Sequence, residues 1–210
     1  MFNQGDFSNV IPLKEESAYP AMPDLVYGWQ KLCSEMLYQS AIVKGLDIRI
    51  ARFFNIFGEY GTWDGGKEKA PAALLRKAIL ADGIIDVWGT GEAQRSFLHI
   101  SECLTGISKI MEAPYQGVVN LGSEEVVTIN QLAQMCIDIS GKKTKINNIK
   151  GNVGVASRAT DNTKLEQITG WKPSAKLEDG LKSTYKFIEN EIMSQRMLQQ
   201  EDSSNNTKSM

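Results

Sequence analysis

The run DIRIARFFNIFG, residues 47–58, limits the possible folds more than any other stretch of the chain. After Asp47 its apolar content is nearly continuous, where a strand with one wet face would alternate. A strand of that kind is covered on both faces, as in a parallel sheet flanked by helices. The residues before it agree. Asp24 is placed to cap a helix running to about Lys44, with Leu25, Leu32, Met36 and Val43 near one face. Gly45 suits the left-handed position past its end. Helix, glycine stop and buried strand make half of a β-α-β unit, so the class implied is α/β.

The rest of the chain alternates in the same way. Residues 1–23 read as a loop punctuated by Pro12, Pro20 and Pro23, and the glycine-rich stretch 58–71 as another. A helix with Pro71 at its start spans 71–83. IIDVWGTGEAQRSFLHI reads as two strands joined by a plain hairpin turn at Gly89–Gly91. Ser101 is the expected cap of a helix over 101–113, and VVNLGS (118–123) is a strand. A helix from Thr128 to Gly141, a strand at 144–149 and helices near 161–169 and 178–195 follow. Residues 196–210 read as a disordered tail.

Charge and composition remove several function classes. A formal net charge of −2 and a pI near 5.6 argue against a nucleic-acid partner, which needs a basic face. No apolar run approaches a membrane span, and MFNQGDF is no signal peptide. Cys33, Cys103 and Cys136 have neither CxxC nor metal spacing, which suits reduced thiols in a cytoplasmic protein. The single histidine, His99, lies in an apolar run and reads as structural, with no partners for a metal site.

VYGWQK places Tyr27 four residues before Lys31, which puts both on one helix face. Tyr27 is the only tyrosine of the chain with a lysine at that spacing. A phenol near pKa ~10 is a poor base, and a neighbouring ammonium favours its ionised form. The pair alone is weak. Its setting is stronger. YGWQK, RFFNIFG, VWGTGEAQRSFLHISEC, VVNLGS and GWKPSAKLEDGLKSTYKFI follow one another in the order of the extended short-chain dehydrogenases/reductases, and each resembles that family's segment. Within it, GTWDGGKEKAPAALLRKA, KEESAYPAMPDLVYG and GVASRATDN resemble segments of GDP-mannose 3,5-epimerases. A related 4-epimerase or 4,6-dehydratase acting on nucleotide sugars is the neighbouring alternative.

The resemblance implies the C-terminal part of an extended Rossmann-like, doubly wound sheet, with a small α/β substrate-binding lobe. Residues 1–57 would be the remnant of the dinucleotide-binding domain and 58–195 the substrate-binding region, interleaved with returning sheet elements. It implies NAD as cofactor, held in part by Tyr27 and Lys31, and a GDP-mannose-like substrate in a homodimer. Tyr27 would take a hydroxyl proton as hydride leaves the same carbon, and Lys69 would then exchange a proton beside the resulting ketone. Asn55, Glu68, Ala70, Lys77, Gln94, Arg95 and Arg158 match substrate-lining or nucleotide-binding positions. Asp161 either caps the next helix or holds Arg158 in place. The acid–base partner of Lys69 in that family is a cysteine, and none of the three here matches it. The sequence also holds no G-x-G-x-x-G or G-x-x-G-x-x-G, and the family places that turn upstream of the first residue here. Three readings follow: an epimerase represented by its substrate half, a non-catalytic sugar-nucleotide-binding module, or a truncated relic.

Overall fold

The structure, a computed structural model, describes residues 11–23, 25–151 and 157–207, with only the backbone for 201–207. The expected cap Asp24 and part of GVASRATDN lie outside the described residues. A short 3-10 turn, Glu15–Ala18, leads into α1 (Val26–Val43), and Gly45 follows its end at φ 90°. The chain continues with β1 (Ile50–Phe53), β2 (Ile56–Phe57), α2 (Ala70–Leu80), β3 (Ile84–Trp88), β4 (Gln94–Ser96) and β5 (Leu98–His99). Then come α3 (Ile100–Glu112), β6 (Val118–Leu121), β7 (Val126–Thr128), α4 (Ile129–Ser140) and β8 (Lys145–Ile149). β9 (Ser157–Arg158), α5 (Thr163–Thr169) and α6 (Leu177–Thr207) complete it.

Parallel pairing dominates, as the apolar strands require. β1 pairs with β6, β2 with β5, β3 with β8 and β4 with β9, all parallel, while β4–β7 is antiparallel. The fold is α/β of the Rossmann-like kind. Two apolar clusters form its interior. One gathers Leu98, Cys103, Ile110, Val119, Leu121 and Leu165 where α3 and α5 meet β5 and β6. The other packs α2, α4 and α6 against β2, β3 and β7. Helical spacing explains the second. α4 buries Leu132, Ala133, Cys136 and Ile137, and α6 buries Leu177, Leu181, Thr184, Ile188 and Ile192.

Several sequence expectations are corrected. The run 47–58 is not one strand covered on both faces. It breaks at Phe54–Asn55, where Asn55 turns to φ 37°, and Phe53 is 54% exposed. Among the described residues β1 has a neighbour on one side only, β6. α1 buries Gly28, Leu32 and Glu35, so the apolar face expected around Leu25, Met36 and Val43 is exposed instead. The turn at Gly89–Gly91 joins no hairpin, because β3 and β4 pair elsewhere. It is held by the start of α4: Asn130 donates from its backbone to Gly91 O (3.0 Å) and from Nδ2 to Thr90 O (2.9 Å). The cap of α3 is His99, whose ring accepts from Ser101 N, rather than Ser101. The tail is helical as far as Thr207. Leu, Met, Gln and Glu are good helix formers, and no Gly or Pro follows Gly180 within that helix to stop it.

Candidate active site

Tyr27 and Lys31 sit in the first two turns of α1, one turn apart, with Lys31 Nζ 5.3 Å from the centre of the Tyr27 ring. At that range the cation feels the ring's negative face. Tyr27 is 66% exposed. Both residues line a groove of about 650 Å³ between α1 and β1, which Arg158 also reaches.

The second group of predicted residues meets this groove through strand register. β4 and β9 align Arg95 with Arg158 and Gln94 with Ser157, and side chains of aligned residues in parallel strands share a face. Two guanidinium groups therefore stand side by side. Burial holds the Arg95 guanidinium below its ordinary value, and the charge of Arg158 adds to the effect. Such a pair favours a polyanion between or above its members. Asn55, in its left-handed turn, donates Nδ2 to Ser96 O (2.9 Å) and so ties the end of β1 to β4 beside Arg95.

The third group lies on the loop 58–69 and on α2. Lys69 is the N-cap residue of α2, with its side chain exposed and no capping bond. It is not among the residues lining the groove. Glu68 turns its carboxylate onto Arg76 (2.8 Å). Ala70 and Pro71 open the helix, and Lys77 donates to Asp86 O (2.6 Å) on β3. Asp161 accepts from Thr163 N (2.8 Å), which is helix capping at the start of α5.

Two arrangements escape a sequence reading. Glu35, four residues beyond Lys31 on α1, is buried and grips Arg52 of β1. A charged residue on the Tyr27–Lys31 face was the available sign. His99 joins three elements: Nδ1 meets Ser101 Oγ (2.8 Å), and Nε2 meets Glu59 Oε2 (3.1 Å) and Ser183 Oγ (3.3 Å). Its structural reading stands. Among the described residues no cluster of His, Cys, Asp and Glu is arranged to hold a metal, and no helix is long and apolar enough to cross a membrane.

The groove suits one end of a dinucleotide. An exposed phenol and an ammonium on one helix face fit a nicotinamide ribose, whose hydroxyls accept and donate hydrogen bonds. For the pyrophosphate, the sequence offers no glycine-rich strand–helix turn.

Comparison with known proteins gives the wider setting. The profile of the NAD dependent epimerase/dehydratase family matches residues 4–122. GDP-mannose 3,5-epimerase of Arabidopsis thaliana is 41% identical over 194 residues, covering 91% of this chain and 51% of that protein. GDP-mannose 3,5-epimerase 1 of Oryza sativa subsp. indica is 40% identical over 183 residues, covering 87% and 48%. The chain thus spans about half the length of the curated relatives it matches. A crystal structure of UDP-glucose 4-epimerase from Thermotoga maritima with UDP-glucose superposes with a TM-score of 0.78 at 24% identity, covering 88% of this chain and 59% of that one. That likeness is one of fold.

Proposed function

The chain belongs to the NAD dependent epimerase/dehydratase family, and from that premise we propose that it is the substrate-binding part of a cytoplasmic nucleotide-sugar epimerase acting on a GDP-mannose-like sugar. The observation that carries this reading is the groove itself. It joins Tyr27 and Lys31 to Arg158, and through Arg158 to Arg95, so a proton acceptor and an anion site share one opening. The 40% and 41% identity to two GDP-mannose 3,5-epimerases supports a GDP-mannose-like sugar nucleotide.

In this reading the diphosphate lies against Arg95 and Arg158, with Gln94 beside it, and the sugar extends toward Tyr27 and Asn55. Lys31 and Tyr27 would hold the nicotinamide ribose of NAD. When bound, NAD supplies the hydride acceptor for the sugar's C4. Tyr27 takes the proton of the C4 hydroxyl, and Lys31 makes that transfer easier by favouring phenolate. The C4 ketone acidifies the hydrogens on C3 and C5. Once a base on the opposite face of the ring, which none of the three cysteines here matches, has taken one of those hydrogens, Lys69 would return a proton to that carbon, with Glu68, Ala70 and Lys77 shaping the approach, and the C4 ketone would be reduced again as Tyr27 gives its proton back. Free Cys33, Cys103 and Cys136 support a reducing compartment, and the exposed Met36, Leu37 and Val43 of α1 support a homodimer.

The test is calorimetry of the chain with GDP-mannose and with NAD, then NMR of solvent deuterium entering the sugar at C3 and C5. GDP-mannose binding with deuterium entry when NAD is present supports the epimerase. Binding of GDP-mannose without NAD binding or exchange makes the chain a non-catalytic binding module. Absence of GDP-mannose binding at millimolar concentration overturns both.

A further inference from the structure

The loop between β2 and α2 is tied down unevenly. At its base Glu59 meets His99 and Ser183, and the ring of Tyr60 lies 5.0 Å from that of Phe187. Trp63 packs on the cluster formed by α2, α4 and α6. Beyond Trp63 the packing stops. Gly65 and Gly66 stand at φ 89° and 80°, and a Cβ on either would meet nothing within 4 Å. Nothing packs where their side chains would stand, and the Gly66 backbone is hydrogen-bonded to the Glu68 carboxylate, within the same loop.

What brackets the glycine pair is one side chain. Arg76, on the second turn of α2, reaches back past the helix start. Its Nη1 lies 3.4 Å from Asp64 Oδ1, on one side of the glycines, and its Nη2 lies 2.8 Å from Glu68 Oε1, on the other. The Glu68 side chain is only 8% exposed and that of Arg76 24%, so this arm is shielded from water more than a surface pair, whereas the Asp64 side chain is 59% exposed. Lys69 follows Glu68 directly and has no capping bond of its own. Its carbonyl accepts from Ala73 N (2.9 Å), so the helix start holds it on one side and Glu68 on the other.

We infer that Arg76 is the positioning residue of this loop: it clamps Asp64 and Glu68 across the glycine pair and thereby fixes where Lys69 stands. The functional meaning rests on the proposed role of Lys69, whereas the clamp itself does not. Glu68 then serves through its carboxylate as the clamp's anchor. Any contact it makes with a ligand comes from its backbone.

Hydrogen–deuterium exchange on the full chain tests this without any turnover. In Arg76→Met, amides of 62–69 should exchange about tenfold faster, while those of β6 and α4 stay as in the parent. Arg76→Lys, which keeps a charge but loses the fork, should restore part of the protection. Acetylation of Lys69 relative to exposed Lys67, read by mass spectrometry, should shift with the same series. Unchanged exchange at 62–69, or an equal rise through β6 and α4, overturns the clamp, as does an unchanged Lys69-to-Lys67 ratio. If Arg76→Met does not fold, Glu68→Gln keeps the shape and removes the charge, and the same loop must loosen or the inference falls. If the loop responds as stated but no form of the chain binds GDP-mannose, the clamp stands and the epimerase reading fails.

Discussion

Arg52 and Glu35 face each other in a two-pronged pair, Nε to Oε2 at 2.7 Å and Nη2 to Oε1 at 2.6 Å, with side chains 5% and 3% exposed. A third bond, from Arg52 Nη1 to Glu15 O (2.7 Å), adds the 3-10 turn. One guanidinium thus joins β1, α1 and the segment before α1 beneath the Tyr27–Lys31 groove. Removing one partner leaves the other charge buried without its two-pronged counterpart. Glu35→Ala should cost about 3–5 kcal/mol, whereas Glu35→Leu combined with Arg52→Met should cost less than either single change. Urea melts of the three variants decide this. A double variant as damaged as the sum of the singles would contradict it.

The adjacent arginines carry the anion site in the proposed function. Arg95→Met and Arg158→Met should each weaken GDP-mannose about tenfold to hundredfold, with the combined change less than the product because the two share one ligand. Tyr27→Phe should leave that affinity within about twofold, since a hydroxyl aimed at the reacting carbon adds little to ground-state binding. Calorimetry separates the four variants.

Acid should loosen the loop ahead of the core. Burial pushes the Glu59 carboxyl up, but hydrogen bonds from Ser183 and its own backbone, together with His99, outweigh this and hold it below its ordinary value of 4.5. Glu68 is held below the same value by a backbone hydrogen bond first and by Arg76, against burial. Groups with depressed folded values contribute stability above their unfolded value, and that contribution is lost as pH falls through the folded one. Melting temperature should therefore decline below roughly pH 4.5, and Glu59→Gln with Glu68→Gln should flatten the decline. An acid limb unaltered by both changes would refute this origin.

Gly91 should be intolerant where Gly45 is not. Both stand at positive φ, 75° and 90°, but a methyl at Gly91 would overlap the Asn130 side chain, and one at Gly45 would meet open space. Gly45→Ala should cost about 1 kcal/mol from backbone strain alone, and Gly91→Ala clearly more. Thermal melts of the two variants are the check.

These cases also show what a sequence discloses. Elements built from near neighbours were legible. Thr128 and Gln131 form the capping box of α4 in three residues, and Gly141 ends that helix at φ 67°. The Tyr27–Lys31 spacing needs only one helical turn. The α3 cap at His99 and the helical tail were misread on local grounds, and the rest of what was misread or missed depends on partners far along the chain. The Gly89–Gly91 turn resembles a hairpin until Asn130 is seen holding it. Arg95 and Arg158 are 63 positions apart by number and become neighbours only through the register of β4 and β9. Glu35 stands on the Tyr27–Lys31 face, but nothing local names Arg52 as its partner. The pairing of Glu68 with Arg76 comes from a helix that begins two residues later, and the residues around Glu68 do not announce it.

The single-sided pairing of β1 has a consequence for handling the protein. Among the described residues no strand pairs with the amides and carbonyls of its outer edge, and Phe53 is exposed beside them. A second strand arriving there satisfies those groups and covers the ring. That encounter is bimolecular, so its rate grows as the square of the amount dissolved. Light scattering on serial dilution should show a clear solution turning to aggregates as the sample is concentrated. Storage volume would then govern shelf life as much as temperature does.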